Sequence, residues 1–369
     1  MDCCRLSRSG LLFAALLLLL SGACASSHKI HNPYEVRTSA LDTTATARTS
    51  SDDRSPQSAP STIKRPERGM APYENSYYLV IDGARIHFRW IPSEGGDRSY
   101  VLIHGFAAST FSYRHTIDHL KRQGQEIVAI DLPGYGFSDR IVEGNQSAFR
   151  RAEVVWKVLD VLESAKRERN RTQETGRWIL VGHSMGGSVI SAMAQLQPDR
   201  IEYLVYLAGS VRGGPGGLTR FALTWVPGLQ SFIAWYAESY MFDEESFQTL
   251  LKSAYAEQPS DEAVQGYLQP FQVPDTARSI LSSIENSDDG RELSIRKINL
   301  PSLLIWGQKD EWVPLERGYE LHRDLHRSLL IVLPEAGHCP METRPHEVHA
   351  LLDGYHSILV QMRNTNRPD

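Results

Sequence analysis

Cysteine is scarce. Of the four in the chain, three (Cys3, Cys4 and Cys24) fall within the first 24 residues, and only Cys339 lies in the body. A disulfide framework within the folded body is therefore excluded, and the fold must stand on its core. Positive charge is not in surplus either: the net charge is −5 and the sequence pI about 6.2. That balance lacks the basic stripe that nucleic-acid binding requires, so no nucleic-acid partner is expected. The longest apolar run, Leu11 to Leu20, falls well short of the roughly 20 residues that span a bilayer. No histidine or cysteine spacing suggests a metal site, no Gly-rich loop suggests phosphate binding, and no internal repeat is visible.

What is present is an ordinary globular balance, 41% hydrophobic and 22% charged, enough for a sizeable core. The N-terminus departs from it. Arg5 and Arg8 precede the apolar run, and Ser21-Gly22-Ala23-Cys24-Ala25-Ser26 follows it, the three-part layout of a secretory signal. Residues 1–25 are therefore expected to be a signal peptide and the protein exported. Two processing routes are open. Cleavage before Ser26 would release the domain, whereas cleavage before Cys24 resembles lipoprotein processing and would anchor it to the membrane through a lipid on that cysteine. Residues 26–70 are rich in Ser, Thr, Ala, Arg and Asp without apolar periodicity, and read as a disordered tether.

Beyond it, Tyr77 to Ile81, Asp82-Gly83 and Arg85 to Ile91 predict a β-hairpin, since Asp-Gly suits the positive φ of a tight turn. Further strands are predicted at Tyr100–His104, Glu126–Ile130, Trp178–Val181, Tyr203–Leu207, Ser302–Trp306 and Leu329–Leu333. Helical spacing lies between them; Phe149, Ala152, Val155, Trp156, Leu159 and Leu162 fall on one face. Such alternation predicts an α/β fold: a mainly parallel, doubly wound sheet with the hairpin as an antiparallel addition. It breaks over residues 211–298, an aromatic-rich stretch expected to be a helical cap inserted into a core formed by 71–210 and 299–369.

Gly182-His183-Ser184-Met185-Gly186 follows the Trp178 strand and opens a helical stretch, the strand–turn–helix setting in which G-x-S-x-G carries a nucleophile. A tight turn there would expose the Ser184 hydroxyl, and larger side chains at 182 and 186 would strike the neighbouring strand and helix. The Met185 amide, at the helix N-terminus, would face an oxyanion.

With these motifs the chain from about Tyr77 to Met362 resembles a capped member of the α/β-hydrolase superfamily. His104-Gly105-Phe106 is similar to that family's oxyanion loop, which implies the Phe106 N–H as the second donor beside Met185. Asp131-Leu132-Pro133-Gly134-Tyr135-Gly136-Phe137-Ser138-Asp139 also resembles a family segment, in which Asp131 and Asp139 are assigned to structure. Among 13 histidines, His338 in Glu335-Ala336-Gly337-His338 sits in the family-like context of the base. Asp310, in Gly307-Gln308-Lys309-Asp310, matches the position of the acid, with Glu311 as its rival. Cys339 reads as a small buried residue, His183 as structural and His104 as a shaper of the oxyanion loop.

The resemblance implies a cofactor-free serine hydrolase acting on a small-molecule ester, probed by an aromatic cap that either receives an apolar group or forms its own core. Carbon–carbon bond hydrolases, perhydrolases and acyltransferases share the triad and remain alternatives, as does a non-catalytic binding protein on the same fold. A serine at 184 argues against the branches that use aspartate there.

Overall fold

The computed structural model describes residues 63–64, 71–141, 143–169, 176–211, 233 and 242–365. The expected signal peptide with Cys24, and the tether except for residues 63–64, lie outside these, as do residues 212–232 and 234–241 of the expected cap.

Eight strands form one sheet: β1 (Ser76–Ile81), β2 (Ala84–Ile91), β3 (Ser99–Ile103), β4 (Glu126–Ile130), β5 (Trp178–His183), β6 (Ile201–Leu207), β7 (Ser302–Gly307) and β8 (Ser328–Leu333). Their order is β1-β2-β4-β3-β5-β6-β7-β8. The β1–β2 and β2–β4 pairs are antiparallel and the rest parallel. The hairpin turns at Asp82 (φ 51°) and Gly83 (φ 84°), as the Asp-Gly dipeptide requires. Within the expected tether, Lys64 makes a two-bond antiparallel bridge to Tyr78 of β1.

Among the described residues the helices are α1 (Arg114–Arg122), α2 (Ala148–Arg169), α3 (Gly186–Leu196), α4 (Glu244–Tyr255), α5 (Asp261–Leu268), α6 (Thr276–Glu285), α7 (Leu315–Asp324), α8 (Pro340–Thr343) and α9 (Pro345–Thr365). The sheet is buried on both faces because alternate residues feed two cores. Val101, Ile103 and Leu180 pack against α2 and α3 through Trp156, Leu159, Val189 and Met193. Tyr100, Leu102 and Ile179 pack with Ile117 and Leu120 of α1 and Val348 and Leu352 of α9. A strand covered on both sides has no polar face, which is why β3 to β7 read as largely apolar runs without polar alternation.

Between β6 and β7 the described residues are helical, α4 to α6, as expected for the cap. Asp243 caps α4 by accepting the Ser246 N–H, and Ser260 caps α5 by accepting that of Ala263. The Phe242, Phe247 and Phe271 rings pack edge to face at 4.8–6.5 Å between centroids. In sheet order β3 and β5 are neighbours, and β3 connects to β4 on one side while β5 connects to β6 on the other, so the connections leaving this pair run in opposite directions. That switch point opens a crevice at the strands' carboxyl ends, where the loops after β3 and β5 meet.

Candidate active site

The turn after β5 lifts Ser184 into that crevice. Its φ is +49°, a left-handed conformation that is strained for a residue with a side chain. The turn is held from both sides: the Ser184 N–H donates to the Leu207 carbonyl (3.1 Å), while its own carbonyl accepts the N–H groups of Gly187 and Ser210 (2.8 Å each). The flanking glycines are a steric necessity. A Cβ at residue 182 would lie 2.5 Å from the Gly186 carbonyl oxygen, and one at 186 would lie 2.3 Å from that of Ile103 in β3.

The loop after β3 approaches equally closely, since a Cβ on Gly105 would sit 2.8 Å from His183 Nδ1 and 3.1 Å from Ser184 Cβ. His104 shapes this loop: its Nδ1–H donates to the Gly105 carbonyl (2.7 Å), and its Nε2 accepts the Leu132 N–H (3.0 Å). Burial pushes the His104 pKa below its usual value, consistent with this neutral tautomer. Among the described residues, neither the Phe106 nor the Met185 N–H has an acceptor, so both remain available to an oxyanion.

His338 and Asp310 arrive on the loops after β8 and β7. His338 Nδ1–H donates to Asp310 Oδ2 at 2.9 Å. The other carboxylate oxygen, Oδ1, accepts the Trp312 and Val313 N–H groups, both at 2.9 Å. Three donors thus fix Asp310, which is 6% exposed. Its rival Glu311 is exposed and has no part in this arrangement. A Cβ on Gly307 would fall 2.1 Å from the Gly337 carbonyl oxygen, so these two loops also meet only through glycine.

The imidazole of His338 is clamped between rings. Trp312 stacks on it at 5.5 Å, and His183 packs at 4.8 Å with its Nε2–H donating to the His338 carbonyl (2.9 Å). Burial, with the neighbouring His338, pushes the His183 pKa well below its usual value, so it stays neutral and structural. The cap secures the same loop. The His338 N–H donates to the Ala254 carbonyl at the end of α4 (2.6 Å), and the Trp312 indole N–H donates to Ser253 Oγ (2.9 Å). Sequence reasoning passed over these cap contacts, because no local pattern marks them.

Ser184, Met185, Phe106 and His338 line one cavity of about 500 Å³. Its apolar wall includes Phe242, Phe247 and Phe271, so the cap aromatics both pack together and face the cavity. Cys339 lines it too, but burial pushes its thiol pKa well above the usual value, which leaves it a poor nucleophile. Behind His338, Glu342 of α8 is buried against Arg114 and accepts the Tyr267 hydroxyl (3.2 Å). Burial outweighs the guanidinium and pushes the Glu342 carboxyl up to about 7.

A hydrogen-bonded Ser–His–Asp chain lies under the hairpin, away from Ser184. His87 Nδ1 is 2.7 Å from Asp131 and its Nε2 is 2.8 Å from Ser76 Oγ. All three are wholly buried, out of reach of any substrate. Asp131 also accepts the N–H groups of Thr110 (2.6 Å) and Phe137 (2.8 Å), which makes it the anchor of its loop. Burial pushes its pKa up, but His87, His104 and the Phe137 amide together hold it below the usual range. Asp139 pairs with Arg85. Among the described residues no cluster of His, Cys, Asp or Glu could hold a metal ion.

A family model described as the alpha/beta hydrolase family matches residues 100–351. The uncharacterized hydrolase YugF of Bacillus subtilis (strain 168) is 30% identical over 72% of this chain and 92% of its own length. A 2-hydroxy-6-oxononadienedioate/2-hydroxy-6-oxononatrienedioate hydrolase of Burkholderia vietnamiensis is 27% identical over 75% of this chain and 92% of its own. Among solved structures, an esterase from Exiguobacterium antarcticum superposes with a TM-score of 0.60 at 20% identity, covering 75% of this chain and 98% of that one. That likeness speaks for the fold alone.

Proposed function

The chain belongs to the alpha/beta hydrolase family, and from that premise we propose that it is a serine hydrolase cleaving a carboxylic ester through an acyl-enzyme. The observation that carries this reading is the convergence of Ser184, His338 and two unengaged amides on one cavity, with Asp310 bonded behind the imidazole.

Asp310 holds the proton of His338 on Nδ1, which leaves Nε2 as the free base. Ser184 Oγ attacks the ester carbonyl carbon as His338 takes its proton. Negative charge develops on the carbonyl oxygen and is met by the Phe106 and Met185 N–H groups, each worth about 3 kcal/mol of transition-state stabilisation. His338 then protonates the departing alcohol as the tetrahedral intermediate collapses. Water, deprotonated by His338, attacks the acyl carbon and frees the acid and Ser184. The cavity wall suits an apolar acyl or alcohol group.

A panel of aryl esters of increasing acyl length tests the proposal. Wild type should hydrolyse at least one of them, and Ser184→Ala should lose that activity by several orders of magnitude; activity that survives the substitution rejects the mechanism. A second reading, carbon–carbon bond hydrolysis next to a carbonyl, is favoured by the relative from Burkholderia vietnamiensis. Turnover of a vinylogous 1,5-diketone acid with an inert ester panel would select it. We extend the proposal to location on composition alone: residues 1–25 as an export signal, with Cys24 as the lipidation candidate.

A further inference from the structure

Arg151 lies on α2, a turn inside its N-terminus, and its side chain lines the cavity beside Ser184, Met185 and Ser188. It is 5% exposed. Its contacts are all with neutral groups: Nη1 to Met185 Sδ (3.1 Å), Nη2 to Gln146 Oε1 (3.5 Å), and the Tyr135 ring 5.4 Å from its guanidinium carbon. Nε–H has no acceptor. Among the described residues no carboxylate is within ion-pair distance of it. Asp289, on the same cavity wall, is already taken by Arg291 (2.6 Å) and Ser147 (2.6 Å).

Other arginines of the fold are treated differently. Arg98 and Arg200 meet Asp353 and Glu163 at 3.0 and 2.8 Å, and Arg114 meets Glu342. Arg140 and Arg89 lack an acid as well, but neither lines the cavity, and Arg140 donates to the Ser138, Gly136 and Pro270 carbonyls. A guanidinium cannot shed its proton under ordinary conditions, so burial without an anion leaves a positive charge unanswered. Burial lowers the Arg151 pKa from its usual value, but a guanidinium starts too high for this to remove the charge. Its planar fork is the protein's natural partner for a carboxylate. Arg151 lies close to the elbow, since its Nη1 reaches the sulfur of Met185, the residue that directly follows Ser184, and both line the same cavity.

From this we infer that Arg151 is a carboxylate subsite, and that the substrate carries an acidic group joined by an apolar span to the bond that is cut. A half-ester of a dicarboxylic acid has this chemistry. The inference rests on the serine-hydrolase reading for the bond that is cut, but the anion subsite itself does not need a reacting serine.

The test is therefore binding, in the Ser184→Ala protein, of two ligands that differ in one charge: monomethyl suberate and dimethyl suberate, measured by calorimetry. The acid should bind roughly 10- to 100-fold more tightly than the diester. Adding Arg151→Met should bring that ratio close to one, and Arg151→Lys should keep a part of it. The ratio is taken within one protein sample, so it does not depend on the fraction folded. Failure of the acid to bind, equal binding of the two ligands, or a preference that survives Arg151→Met would each overturn the subsite. A wild-type protein inert toward every ester of the panel, or ester hydrolysis that survives Ser184→Ala, with the binding preference intact, would instead strike the mechanism and leave Arg151 in place.

Discussion

Replacing Asp310 by asparagine changes one atom and is expected to be nearly as damaging as removing the side chain. Oδ1 accepts two backbone N–H groups and Oδ2 one imidazole N–H. An asparagine must keep its oxygen toward Trp312 and Val313, because the flipped amide would set NH₂ against two donors. Losing those two bonds and burying the unpaired donors costs at least ~2–4 kcal/mol, so the flipped form falls to at most a few per cent. In the retained orientation NH₂ faces His338 Nδ1, which must then accept. The imidazole proton moves to Nε2, where a base is required, and the charge that steadies the imidazolium is gone as well. We expect kcat/KM toward an active aryl ester to fall by about 10³- to 10⁴-fold. Asp310→Ala removes the side chain but leaves the imidazole free to choose its tautomer, so the asparagine variant should be no better than the alanine one. Steady-state kinetics on the three proteins, with circular dichroism to establish folding, decides it. An asparagine variant within tenfold of wild type, or clearly superior to alanine, would refute the tautomer argument.

Glu342 gives a pH dependence of stability. Its pKa rises from 4.5 to about 7 on folding, so between those values the folded state binds more protons than the unfolded one. The contribution is therefore whole below about pH 4.5 and lost as pH rises through 7, a span worth at most about 3 kcal/mol. Thermal unfolding of wild type and Glu342→Gln from pH 5 to 7.5 should show a decline in wild type that the variant lacks; parallel curves would contradict it. Gly186→Ala should yield little folded, active protein, since its methyl would sit 2.3 Å from a β-strand carbonyl oxygen. Wild-type esterase activity and melting temperature in that variant would show the elbow to be looser than described. Mass spectrometry of the exported protein should find a diacylglyceryl group on Cys24 if the lipoprotein route holds; a free Ser26 start excludes it, and an uncleaved Met1 excludes export processing altogether.

The central strands, β3 to β7, were legible because they are buried on both faces, and β4 matches its predicted bounds, Glu126–Ile130. The elbow was legible for a related reason: close approach at residues 182 and 186 admits only glycine, and a steric demand leaves a mark in sequence. The sequence marks Asp131 as structural but not its partners, since His87, and Ser76 behind it, reach it only through the pairing of β2 with β4. Long-range contacts of this kind have no local signature. The polar neighbours of Lys64 give it the composition of a tether, yet two backbone bonds to Tyr78 need no apolar side chain. Arg151 stayed hidden because an arginine on an amphipathic helix ordinarily lies on the solvent face. Only the packing of α2 against Met185 turns it inward.

The central claim is that Ser184, and no other serine, is activated as a nucleophile. Treatment with a fluorophosphonate, followed by intact-mass measurement and peptide mapping, tests it most directly. We predict one phosphonyl group per chain, on Ser184, formed at a rate that collapses in His338→Ala. An unmodified protein, or a label on Ser76 in the buried Ser–His–Asp chain, would contradict the account.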